Sequence, residues 1–211
     1  MPVNRCWAIS MAIFLCVPFI VFGQKTAEKD LLMQAFAIRK HYEEHMLVDS
    51  ILEKTHPKLF EQMPREFFKR KMMEVMDDEI LAYSIENLQI DSTLPVLHFE
   101  NTVYVPILIK GTNRLKMQSK HVDDLFTRGE LQLNAKDLFQ TLCDDMRSKP
   151  ESSDVICDDG TKTFTLTKRL QTLFIFDKTV PGSWCFLDYS PAHLPFFRKH
   201  NTLPTAILDK L

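Results

Sequence analysis

The hydrophobic period changes partway along the chain, and that change constrains the fold more than any other feature of the sequence. From Glu28 to Leu52 apolar residues recur three and four apart, at Leu31, Ala35, Ile38, Tyr42 and Met46, with Arg39, Lys40, Glu43 and Glu44 between them. This spacing predicts one amphipathic helix, interrupted by Pro57. A second helix is expected from Pro64, a residue suited to a first turn, as far as Asp77. From Ile80 onward β-branched and aromatic residues take over. Strands are expected over Ile80 to Ile90, Val96 to Phe99 and Thr102 to Met117, with Glu100-Asn101 as a turn. Pro106 has no N–H to give to a ladder, so it predicts an edge position, a bulge or a bend.

The second half repeats the strand pattern around one helix. Lys120 to Asn134 reads as a polar connection, and Ala135 to Met146 as a helix capped by Asn134, with Leu138, Phe139 and Leu142 on one side. After Pro150, Val155-Ile156-Cys157 and Thr163 to Thr167 flank Asp158-Asp159-Gly160 as a hairpin. A second hairpin joins Leu170–Phe176 to Trp184–Tyr189 across Pro181-Gly182. Pro191 to His200 and Pro204 to Leu211 read as helical turns covering one end of the sheet. With no repeat or low-complexity tract across 24–211, the expectation is a single α+β domain. Its sheet is curved and mostly antiparallel, packed by N-terminal helices and one mid-chain helix. By analogy of architecture, such a sheet can leave a cone-shaped cavity, as in nuclear-transport-factor-2-like or cystatin-like folds.

Residues 1–23 follow the plan of an export signal. Arg5 is their only charge, an apolar run extends from Cys6 to Phe22, and Val21 and Gly23 stand where cleavage after Gly23 requires small or moderate side chains. The expected location is therefore periplasmic or secreted. The alternative, an uncleaved anchor, would be the chain's only tie to a membrane. The run of about 17 residues is at the lower limit for spanning a bilayer, and Pro18 weakens it. The formal charge of −2, with both signs interspersed, gives no reason to expect a nucleic-acid partner. The five glycines are too scattered to form a phosphate-cradling loop.

Cleavage would leave Cys143, Cys157 and Cys185. Three buried thiols is the reading preferred from sequence. If a bridge forms, Cys143 and Cys157 are the pair, closing a loop worth roughly 3 kcal/mol. Alternation in the last strand puts Cys185 on the face of Leu187 and Tyr189, as a small core residue.

Several segments resemble those of small exported proteins of unknown function from Gram-negative bacteria. They are Thr55-His56-Pro57-Lys58-Leu59-Phe60 leading to Pro64, Ser84 to Leu88, Trp184 to Leu187, and the closing Phe196-Phe197 and Pro204 to Leu211. The resemblance implies export and an α+β fold. It transfers no catalytic residue.

The arrangement closest to a catalytic motif is His41-Tyr42-Glu43-Glu44-His45, an H-x-x-E-H order. On a helix, His41 and His45 can reach one zinc ion while Glu44 activates its water, with a third ligand to come from elsewhere. The bland alternative is a pair of histidines on the wet side of the helix, and it is the preferred one. Cys185 with His193 or His200 is better read as packing than as a thiol and its base. The basic residues Arg65, Lys69, Arg70 and Lys71, with Lys58 nearby, read as a solvated face compensated by Asp77, Asp78 and Glu79. Phe67, Phe68, Met72, Met73 and Met76 make a soft apolar helix side, suited to core or to the wall of a binding site. The expected function is accordingly non-enzymatic and without a cofactor: binding of an apolar ligand or an envelope partner protein by that helix side. A small zinc hydrolase and a structural subunit of an envelope assembly, the latter exposing the C-terminal apolar stretch, are the alternatives.

Overall fold

A computed structural model describes residues 27–148, 155–180 and 182–211. The segment at 1–23 expected to be an export signal, Pro150 and Pro181 lie outside the described residues. The described residues divide into two compact units, one ending at Arg39 and the other running from Lys40 to Leu211. In the first, the described residues are helical from residue 27, and Leu32, Ala35, Phe36 and Arg39 are buried while Leu31 and Ile38 are exposed. The buried stripe is thus turned from the expected one, keeping only Ala35. This helix, α1, ends at residue 44 rather than running to Leu52. Its end is a Schellman turn: Leu47 N–H donates to the Tyr42 carbonyl at 2.8 Å, Met46 N–H donates to Glu43, and Met46 takes a left-handed φ of 53°.

The second unit is α+β. Helix α2 (Val48–Lys54) and a 3-10 turn (Pro57–Leu59) precede α3 (Arg65–Met76), which begins and ends where expected. Strands β1 (Leu81–Thr93), β2 (Leu97–Phe99) and β3 (Thr102–Met117) follow, then α4 (Ser119–Thr127) and α5 (Ala135–Ser148). The chain continues through β4 (Val155–Asp158), β5 (Thr163–Asp177) and β6 (Trp184–Tyr189). A 3-10 turn (Pro191–His193), α6 (Leu194–Lys199) and α7 (Thr205–Leu208) close it. No helix among the described residues is long and apolar enough to cross a membrane.

The six strands form one antiparallel, curved and unclosed sheet. Its order is β1-β3-β5-β4, with β2 added beside β3 and β6 beside β5. Three expectations are corrected here. The expected connection at 120–134 contains α4, with Val122 fully buried, so two mid-chain helices rather than one pack on the sheet. The two strands expected over 163–176 are one continuous strand; Lys168 and Arg169, which read as a break, lie in its exposed middle. Pro106 lies in central strand β3, opposite Leu173 of β5. Its carbonyl accepts from Leu94 N–H at 2.9 Å, so its missing N–H faces the interval between β1 and β2, where no ladder needs it.

Two of the hydrophobic clusters in this unit lie on opposite faces at opposite ends of the long strands, and Val105, Ile107 and Ile109 of β3 with Phe174 of β5 are buried besides. Tyr104, Leu173, Ile175, Leu187 and Tyr189 pack with Phe197, Leu203, Ile207 and Leu208 from the C-terminal helices. Met117 and Phe164 pack with Val122, Ala135, Phe139 and Cys143 from α4 and α5. The second cluster is stapled by a Cys143–Cys157 disulfide joining α5 to β4, which corrects the preferred reading of three thiols. Cys185 is free and packs beside the first cluster, as its alternation indicated.

Candidate functional site

Helix α3 owes its start to Pro64 and its interior to long unbranched side chains of good helical propensity. It then does something unusual for a helix carrying Phe67, Phe68, Met72, Met73, Val75 and Met76: none of its 12 residues is buried. Phe67 is 39% exposed and Val75 46%, while Phe68, Met72, Met73 and Met76 are half-buried. Phe60, Phe68 and Phe67 form an edge-to-face series with centroids 5.7 and 6.2 Å apart. The arginine of Arg70 lies 5.6 Å from the Phe67 ring centroid. The soft apolar side expected from sequence is therefore present as a surface.

The neighbouring charges anchor the helix. Lys69 pairs with Asp49 of α2 at 2.8 Å, and its hydrogen bond holds the Asp49 carboxyl below the usual carboxylate range. Arg65 donates to the Asp49 carbonyl at 3.1 Å. Arg70 and Lys71 share Glu74, and Lys58 donates to the Asn201 carbonyl at 2.8 Å. Compensation within the cluster agrees with the solvated-face reading, although the acids involved are Asp49 and Glu74 rather than Asp77, Asp78 and Glu79.

At the H-x-x-E-H segment the two imidazoles are exposed with ring centroids 4.3 Å apart. His45 lies one residue past the last helical position, and its Nδ1 donates to the His41 carbonyl at 2.9 Å. Glu44 has other partners: its Oε1 accepts from Leu88 N–H at 3.4 Å and lies 3.6 Å from Lys40 Nζ. Among the described residues no three His, Cys, Asp or Glu side chains converge as a metal site.

Elsewhere, burial pushes the Cys185 thiol up to about 11 against the opposing pull of Lys54, which leaves it a poor nucleophile at neutral pH. His193 accepts the Ser190 N–H at Nδ1 in a capping box, and His200 lies tilted against Phe196 with centroids 4.4 Å apart. The C-terminal apolar stretch is folded onto the sheet through Phe197, Leu203, Ile207 and Leu208. An open recess lies where α4 begins, lined by residues that include Ala82, Lys116, Ser119, Lys120, His121 and Asp124; no local pattern reveals it, because its walls come from β1, β3 and α4 together. No family model matches the chain, and no curated protein or solved structure is significantly similar to it.

Proposed function

We infer that the chain is an exported, non-enzymatic protein that binds a partner protein through the exposed Phe/Met side of α3. The observation that carries this reading is that α3 buries none of its residues while presenting Phe67 and Val75 to solvent. Aromatic and methionine side chains are the ones enriched at protein interfaces, and methionine adapts to the partner's contour. A surface open to solvent suits a protein partner better than a small apolar ligand, which needs enclosure. Export is supported by the apolar run at residues 6–22 and by the Cys143–Cys157 disulfide, a bond that persists in oxidising compartments.

The test places a photoreactive phenylalanine at position 67 in cells that make the protein, with the same group at exposed Ile156 of β4 as reference. The expected result is one discrete adduct from position 67, identified by mass spectrometry, lost on Met72→Glu and not formed from position 156. Adducts that are absent, or the same from both positions, would overturn the reading.

A further inference from the structure

The face of the sheet that α6 and α7 cover near Tyr104 and Leu173 continues down the same strands toward α4 and α5, and there the hydrophobic clusters leave it. On β3 the residues two apart on this face include Lys110, Arg114 and Lys116. Register places Arg169 of β5 directly opposite Lys110. Between these cations stand hydroxyls: Thr112 opposite Thr167, and Arg114 flanked by Ser84 on β1 and Thr165 on β5. Arg114 and Lys116 are exposed, and Arg169 is 68% exposed.

Two carboxylates pair with the cations, and a third, Asp124, lines the recess at the start of α4 that Lys116 also lines. Glu86 pairs with Arg114 at 3.1 Å, and Asp91, the extra residue of a β1 bulge, lies 3.9 Å from Arg169. Asp158, at the margin of the face, is occupied by Thr161 and the Gly160 N–H. Lys110 and Lys116 have no ion pair among the described residues. On a chain whose formal charge is −2, this is a local excess of positive charge. The cations on β3 stand about 7 and 14 Å apart along the strand, a row suited to a repeating anion. The face carries no aromatic ring for stacking bases, and its one large exposed apolar side chain, Ile156 opposite Thr165, is too little to anchor in a bilayer.

We propose that this face binds an anionic polysaccharide, with Lys110, Lys116, Arg114 and Arg169 pairing its sulfate or carboxylate groups and the threonines hydrogen-bonding its sugar hydroxyls. The site is separate from α3 and does not depend on the partner reading.

The test measures binding of the full chain to dextran sulfate by titration calorimetry at about 0.15 M salt, with neutral dextran as reference. Three variants are compared with wild type: K110Q/K116Q, K116Q alone, and R70Q/K71Q, which removes the same charge from α3. Expected are saturable binding by wild type, at least tenfold weaker binding by K110Q/K116Q, a loss of about threefold for K116Q, and a change under twofold for R70Q/K71Q. The dependence of log K on log salt should flatten in K110Q/K116Q as cation contacts are lost. K116Q alters one exposed side chain, so it decides the matter should the double variant fail to fold. The proposal is overturned if wild type does not bind, if R70Q/K71Q loses as much as K110Q/K116Q, or if anionic vesicles or single-stranded DNA bind more tightly with the same dependence on these lysines.

Discussion

Burial, reinforced by the nearby charge of Lys58, lowers the His56 pKa to about 4, and its Nδ1 has no hydrogen-bond partner. The unfolded chain takes up this proton near pH 6.5, while the folded chain resists it until about pH 4. The contribution to stability is therefore full above pH 6.5 and is lost as pH falls through that window, amounting to about 3 kcal/mol. His56→Phe should flatten the pH dependence of unfolding by that amount, measured by urea titrations at pH 7 and pH 4. Gly111 makes a steric point instead: a Cβ there would stand 2.9 Å from Cδ1 of buried Leu88. Overpacking of about 1–3 kcal/mol outweighs the 0.4–1 kcal/mol gained from the unfolded chain, so Gly111→Ala should destabilise by about 1 kcal/mol. The cost should shrink in a Leu88→Val background, a coupling that a double-mutant cycle reads directly. At this scale the sequence was only partly legible. The H-x-x-E-H order places His41 and His45 side by side, but nothing in it reveals that Glu44 reaches the Leu88 backbone 44 positions away.

Elements were legible where local chemistry marks their ends and obscure where tertiary contacts do. Asn134 was readable as a cap, and its Oδ1 accepts the Asp137 N–H at 3.0 Å. Asn134→Ala should cost about 1 kcal/mol in unfolding free energy, with the loss appearing as faster amide exchange in the first turn of α5. The end of α1 was missed because its left-handed C′ position is Met46 rather than glycine, the usual marker. Helix α4 was missed because local chemistry does not mark its start: its N-cap is Gln118, which makes no side-chain capping bond. The buried stripe of α1 includes Arg39, a charged residue that an apolar count places outside. The continuity of β5 and the place of Pro106 depend on which strands flank them, and that information is nonlocal.

For the unit of residues 40–211, the C-terminal helices and the α4–α5 pair bury separate clusters on opposite faces of one sheet. The Cys143–Cys157 bond closes 14 residues of sequence separation around the α5 cluster. Cys143→Ser/Cys157→Ser should lower the unfolding free energy by roughly 3 kcal/mol, and thiol titration of the denatured chain beginning at Gln24, which lacks Cys6 and Cys16, should find Cys185 alone.

The claim on which the functional account stands is that the aromatic-and-methionine side of α3 is surface held for a partner and contributes little to the fold. Its most direct test is the global unfolding free energy of Phe67→Ser/Val75→Ser, compared with wild type by urea denaturation of the purified chain. Side chains left this exposed should cost no more than about 0.5 kcal/mol each when removed. A loss of 3 kcal/mol or more would place both residues in the core of the free protein and contradict the account.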